Sequence, residues 1–69
     1  MPIVTIEMWP IPDRWKADLM ERITAAFTQL DIPADAVTIV IHETPKENWG
    51  TGGQQHSIIH KDTGPSNLS

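Results

Sequence analysis

The alternation of apolar and polar positions divides the first two thirds of the chain into three segments. Residues 3–9 (IVTIEMW) are rich in β-branched and apolar side chains on both faces, which predicts a strand covered on two sides. From Arg14 the apolar residues recur mostly every three or four positions, which predicts an amphipathic helix with Asp13 as its N-cap. Residues 37–43 (VTIVIHE) form a second apolar run and predict another strand. The apolar helix positions are Trp15, Leu19, Met20, Ile23, Phe27 and Leu30.

Prolines separate these segments and fix their order. Pro10 and Pro12 remove backbone donors after the first strand, and Pro33 ends the helix. A strand, a helix and a strand in so few residues predict a βαβ unit with parallel strands. The helix covers one face of the sheet, and parallel sheets normally have both faces buried. We therefore expect the second face, apolar in both strands, to meet a partner subunit.

The last third of the chain predicts turns and a polar end. Residues 44–53 (TPKENWGTGG) carry a proline and three glycines, which favour tight reversals. A short strand is expected around residues 57–60. We predict a single domain at residues 1–61 and a polar C-terminal tail at residues 62–69.

Size and composition limit the possible functions. A chain of 69 residues buries only about 60% of its unfolded surface, and the absence of cysteine removes disulfides as a remedy. An obligate oligomer is therefore expected. The net charge of −4 and five scattered basic residues argue against nucleic acid or an anionic membrane as a partner. No apolar run approaches the length of a secretory or membrane segment, so we expect a cytoplasmic protein.

Pro2 is the candidate reactive residue. It is compact enough to permit removal of Met1, which would leave a secondary amine at the terminus. An α-amino group has a pKa near 8, close to the best value for a base at neutral pH, and burial lowers it. The structural alternative is that proline simply suits the first residue of a strand. If Met1 is retained, the Pro2 nitrogen is an amide and has no usable basicity.

Four features in order, PIVTIEMW, one amphipathic helix, VTIVIHE and ENWGTGG, resemble the 4-oxalocrotonate tautomerase family across roughly residues 2–60. The resemblance implies an α+β fold: a β-α-β protomer with parallel strands and a short C-terminal hairpin, assembled as dimers and commonly as a hexamer, a trimer of dimers. It implies that Pro2 is the general base of a cofactor-free isomerase acting on a small enol, dienol or 2-oxo acid. It also implies that Trp49 lies at the wall of the site.

The sequence departs from that family at two arginines that bind substrate carboxylates. The loop after the first strand reads PIPD and is one residue shorter than usual, and Thr38 stands at the second arginine position. Threonine cannot replace a guanidinium, so we expect a monoacid or neutral substrate rather than a dicarboxylate. Losing two cations should also leave Pro2 more basic than in relatives. Arg14 is a candidate surrogate, because it lies two or three positions from the missing loop arginine.

Other functions remain to be weighed against this one. A non-catalytic oligomeric module that kept the scaffold is the alternative, since the substrate-binding cations are missing. A dehalogenase or decarboxylase of the same superfamily would also need arginines. His42, His56 and His60 raise the possibility of a metal site, but the β-branched context favours a strand around the last two, so no metal is expected. The glycine-rich turn lacks the features of a phosphate-binding loop.

Overall fold

A two-stranded parallel sheet and one long helix make up most of the molecule. The computed structural model describes residues 1–62, so all of the predicted tail except Asp62 lies outside the described residues. The elements in order are β1 (Ile3–Met8), α1 (Asp13–Thr28), β2 (Thr38–Glu43), β3 (Gly50–Thr51), β4 (Gln54–Gln55) and α2 (His56–Ile59). Short 3-10 turns lie at Ala34–Ala36 and Lys46–Asn48. The fold is α+β, as the sequence predicts.

Strands β1 and β2 pair in parallel over their whole length. The register runs from Ile3 opposite Thr38 to Met8 opposite Glu43. Backbone hydrogen bonds extend the pairing at both ends: the Thr38 amide donates to the Pro2 carbonyl at 3.1 Å, and the Thr44 amide donates to the Met8 carbonyl at 2.9 Å. The predicted βαβ unit is therefore confirmed, with the second strand beginning one residue later than expected and the first ending one residue earlier.

The two faces of the sheet differ more than the sequence analysis expected. One face is half-buried and includes Met8, which borders a groove with Trp15 and Leu19 of α1. The other face is exposed and carries only two large apolar side chains, Ile3 and Val40. The remaining side chains of that face are Thr5, Glu7, Thr38 and His42. The expected second apolar face is therefore present only in part, because strict alternation also turns the polar members of both strands outward.

Each end of α1 differs from the prediction by a small shift. Pro12, with φ −61° and ψ 148°, occupies the N-cap position, and Asp13 is the first helical residue rather than the cap. At the other end, Asp31 adopts φ +64°, and the Ile32 amide donates to the Phe27 carbonyl at 3.3 Å. A left-handed residue followed by such a bond is the usual Schellman ending of a helix. It stops α1 before Leu30, which is 71% exposed.

The C-terminal part forms a hairpin followed by a helical turn. Gly52 and Gly53 have φ values of 64° and 82°, and their lack of a β-carbon permits the tight reversal between β3 and β4. The strand predicted around residues 57–60 is wrong, because that segment belongs to α2, where the His60 amide donates to the His56 carbonyl at 2.8 Å. The β4 pairing is only two residues long, so the β-branched Ile58 and Ile59 have no strand to extend.

The protomer does not enclose a hydrophobic core. None of residues 1–62 is fully buried, and large apolar side chains are exposed on the sheet, on α1 and on α2. The radius of gyration is 14.8 Å, whereas a compact chain of this length would have about 11 Å. Trp15, one of the apolar positions of α1, is 37% exposed. No helix within residues 1–62 is both long and apolar enough to cross a bilayer.

Candidate functional site

Pro2 and Thr38 lie together at the amino-terminal end of the parallel strands. Pro2 is half-buried, and its carbonyl is held by the Thr38 amide. Met1, immediately before it, has a side chain that is 95% exposed. The backbone of Pro2 is therefore fixed by the sheet, whereas Met1 is open to solvent.

Trp49 and Arg14 lie at the other end of the strands. The Trp49 indole Nε1 donates to the Thr44 carbonyl at 2.9 Å, and Thr44 follows directly after β2. Arg14 is in the first turn of α1, which begins where the β1 strand has ended. Its side chain is exposed and makes no ion pair with any of residues 1–62. Arg22, in contrast, pairs with Asp18 at 3.0 Å.

The four predicted site residues therefore form two separate groups in one protomer. Six strand steps separate Pro2 from Met8, which corresponds to about 20 Å at a rise of about 3.3 Å per residue. The sheet brings Thr38 to Pro2 and brings neither Trp49 nor Arg14 to it. A single protomer thus cannot present Pro2 and Trp49 to one small molecule.

An indole–imidazole cluster, formed by Trp9, Trp49, His56 and His60, surrounds the Trp49 end of the sheet. The His56 ring stacks on Trp49 with centroids 5.7 Å apart and meets the edge of Trp9 at 5.5 Å. His60 lies 5.0 Å from His56 and 5.5 Å from Trp9. The cluster joins the segment after β1 to the hairpin and α2, which are far apart in the sequence.

His56 is the most connected member of this cluster. Trp9 Nε1 donates to His56 Nδ1 at 3.2 Å, and His56 Nε2 lies 2.8 Å from Thr51 Oγ1. The His56 backbone amide donates to the Trp49 carbonyl at 2.9 Å. The Lys46 ammonium lies 4.7 Å from the centre of a Trp9 ring and donates to the His60 carbonyl at 2.7 Å.

Sequence reasoning missed this cluster. The four-residue spacing of His56 and His60 was its only signal, and the β-branched residues between them favoured a strand. The structure places both imidazoles on a helical turn, where that spacing puts them on one face. Within residues 1–62, no three side chains of the metal-ligating types are grouped as a metal site.

Glu43 and Lys16 brace the connection between β1 and α1. Lys16 Nζ lies 2.7 Å from Glu43 Oε1, and the Ile11 amide donates to Glu43 Oε2 at 2.8 Å. The hydrogen bond from Lys16 is the main cause that lowers the pKa of Glu43, and the same bond raises the pKa of Lys16. A cation in the first turn of a helix, which opposes the helix dipole, therefore has a structural reason at Lys16.

Comparisons with known proteins agree with this architecture. The family model described as "Tautomerase enzyme" matches residues 2–57. No significant match was found among curated proteins. The chain is similar to the structure of TomN, a 4-oxalocrotonate tautomerase homologue in the tomaymycin biosynthetic pathway, with 29% identity, a TM-score of 0.79, and coverage of 87% of this chain and 95% of that one.

Two further solved structures show the same likeness. One is of the 4-oxalocrotonate tautomerase isozymes from Methylibium petroleiphilum, with 30% identity, a TM-score of 0.75, and coverage of 84% of this chain and 97% of that one. The other is YwhB, a homologue of 4-oxalocrotonate tautomerase, with 25% identity, a TM-score of 0.73, and coverage of 83% and 97%. The match of the family model to most of the chain, together with these structures, shows that the protein belongs to the tautomerase family.

Proposed function

We propose that this protein is a cofactor-free tautomerase in which Pro2, freed by removal of Met1, is the general base. The observation that carries the proposal is the placement of Pro2: it follows an exposed Met1 and is held at the strand end by the Thr38 amide. The family match also begins at residue 2. In its neutral form, the ring nitrogen takes a proton from an enol or from the carbon next to a carbonyl. The resulting ammonium returns the proton to another atom of the same molecule, so no cofactor is consumed.

The substrate we propose is a small enol, dienol or 2-oxo acid that lacks the usual second carboxylate. Arg14 and Arg22 are the only arginines of the chain, and Arg22 is engaged by Asp18. Thr38 can offer one hydroxyl beside Pro2 but no charge. Arg14 is thus the one guanidinium available among the described residues to bind a carboxylate, and Trp49 would supply an apolar wall.

A complete site of this kind requires more than one protomer. The exposed apolar side chains on the sheet, α1 and α2 support self-association through more than one surface, as a dimer and then as a hexamer built from three dimers. A two-fold axis perpendicular to the strands runs the strands of two copies in opposite directions. Such a pair would bring Pro2 and Thr38 of one copy towards Trp49 and Arg14 of the other.

The test of the base compares three forms of the protein. Mass spectrometry first establishes that Met1 has been removed, and activity is then measured with phenylenolpyruvate and 2-hydroxymuconate. An uncleaved extension before Pro2 converts its nitrogen to an amide and should abolish turnover. Pro2→Ala, which replaces the rigid secondary amine with a primary amine, should lower kcat/KM by about 100-fold, within the range for a positioned base.

Pro10→Ala provides the matched control, because Pro10 is an exposed proline far from the terminus. It should retain wild-type kcat/KM. A correctly processed protein with no turnover of either substrate or of a wider enol panel would overturn the proposal and favour a non-catalytic oligomeric module. Equal activity of the wild type and the extended form would exclude Pro2 as the base.

A further inference from the structure

We propose that His56 is a positioning residue that ties Trp9 to the hairpin carrying Trp49, and that protonation of His56 releases Trp9. The inference rests on the proposed function for its catalytic consequence, because Trp49 is the proposed wall of the site. It adds a regulatory element beside that site: the hydrogen bond that ties Trp9 to His56 is present when His56 is neutral and lost when His56 is charged.

The hydrogen bonds around His56 define its protonation state. An indole N–H can only donate, so the Nδ1 atom that it meets at 3.2 Å must carry a lone pair. The proton of the neutral ring then resides on Nε2, which donates to Thr51 Oγ1 at 2.8 Å. Both ring nitrogens are satisfied in this tautomer, and the ring bridges the segment after β1 to the hairpin.

Protonation makes this arrangement incompatible with its partners. A proton on Nδ1 would face the Trp9 indole proton, so two donors would meet and the bond would be lost. Stacking on Trp49 survives, since a cation is attracted to the face of an indole. Trp9 therefore loses its hydrogen bond to His56, whereas its contacts with His60 and with the Lys46 ammonium remain.

Charged and titratable residues of two elements stand close to the cluster. His60 and Lys61 stand at the end of its own helix, and Lys46 and Glu47 belong to the 3-10 turn packed against that helix. Lys46 already places an ammonium over Trp9. No carboxylate among residues 1–62 lies within ion-pair distance of the His56 ring.

Two substitutions separate the hydrogen bond between Trp9 and residue 56 from the change of charge at residue 56. His56→Gln retains an acceptor for Trp9 and a donor for Thr51 but has no charge to gain. His56→Phe retains a flat ring that can stack on Trp49 but can accept no hydrogen bond. The glutamine variant should remain tied at every pH, and the phenylalanine variant should be untied at every pH. His60→Gln is the matched control, because it removes the neighbouring imidazole and leaves His56 in place.

The first readout does not depend on activity. The indole N–H resonance of Trp9, assigned by its loss in Trp9→Phe, is followed by NMR between about pH 8 and about pH 5, where imidazoles change charge. The resonance should move with pH in the wild type and in the control variant His60→Gln. It should stay in place in His56→Gln. In His56→Phe it should sit at the low-pH position throughout. A resonance that does not move in the wild type, or that moves equally in His56→Gln, would overturn the proposal.

The second readout is the split between KM and kcat. As the pH falls over the same interval, KM of the wild type relative to His56→Gln should rise about 2- to 10-fold, the effect of losing one neutral hydrogen bond. The comparison at each pH cancels the titration of Pro2 itself. Identical KM profiles would remove the link to the site. If the resonance moves but no enol is turned over, the tie stands and the proposed function fails.

Discussion

At the scale of single residues, the two arginines of the chain have different surroundings. Arg22 is paired with Asp18 within α1, whereas the Arg14 side chain is exposed and makes no ion pair with residues 1–62. Arg14 also stands in the first turn, where a cation opposes the helix dipole. Because no ion pair with residues 1–62 explains the cation at this position, we expect the Arg14 guanidinium to contact a ligand.

Arg14→Ala should therefore weaken the binding of an acidic substrate. We expect KM for phenylenolpyruvate to rise about tenfold, with kcat changed less, because a charge-assisted hydrogen bond is lost. Steady-state kinetics with an acidic and a neutral enol measure this effect. Arg22→Ala is the matched control and should leave KM unchanged. If Arg14→Ala alters no acidic substrate, Arg14 is not the surrogate for the missing arginines.

At the scale of elements, the brace from Glu43 connects three parts of the chain. One carboxylate oxygen accepts from the Ile11 amide and the other meets the Lys16 ammonium, so β2, the proline-rich connection and α1 are held together. Both side chains are 27% exposed, which leaves the pair partly open to solvent screening. The brace fixes where α1 begins in place of a side-chain N-cap.

Glu43→Gln should lower the melting temperature at neutral pH, and the deficit should shrink in acid. Because the folded pKa of Glu43 lies below its ordinary value of 4.5, its contribution is present above that value and is lost as the pH falls through the folded pKa. Lys16 has a raised pKa, so its contribution persists up to 10.5 and is lost above it. Thermal unfolding at matched protein concentration measures the difference.

Glu21→Gln is the control for that experiment. Glu21 is an exposed carboxylate on α1 with no ion pair to residues 1–62. It should show no deficit that varies with pH. A deficit of Glu43→Gln that stays constant from neutral to strongly acidic pH would mean that the charge of Glu43 does not stabilise the fold.

The elements differ in how far the sequence could predict them. The βαβ unit was predictable because α1 repeats its apolar residues at helical spacing and because prolines mark its boundaries. The α2 turn was not predictable, since the β-branched Ile58 and Ile59 favour a strand. In the structure the β3–β4 pairing ends before these residues, and they lie in α2. Pro33 placed the end of the helix near Asp31, but the sequence did not indicate that Asp31 adopts a positive φ.

The candidate site shows the same division. Pro2 could be singled out because it follows a methionine and opens the strand-like run PIVTIEMW. Trp9 and His56 could not be paired, since 47 positions separate them and their contact depends on how the hairpin folds back. Pro2 and Trp49 are separated because Pro2 precedes β1 and Trp49 contacts Thr44 after the parallel strand β2. A sequence motif alone does not indicate this distance.

At the scale of the whole molecule, the distance between Pro2 and Trp49 gives mixed assemblies a testable property. If each site takes Pro2 from one copy and Trp49 from another, a Pro2→Ala chain and a Trp49→Ala chain can complement each other. Random mixing at equal amounts makes half of the dimers mixed, and each has one intact site of two, so activity should recover to about a quarter of the wild-type level.

That experiment requires co-refolding of the two variants followed by a kinetic assay. The control mixes two preparations of the same variant, which should recover nothing. If the mixed preparation is only the average of its two components, the site does not combine residues from two copies.

The lack of fully buried residues among 1–62 has a consequence for the stability of the protein in the cell. With no residue among 1–62 fully buried, much of the free energy that opposes unfolding would come, in the proposed oligomer, from contacts between copies. Maturation then becomes a second-order process whose half-time lengthens as synthesis slows. Chains made at low abundance would spend longer exposed to proteases, so expression level itself would set the fraction that survives.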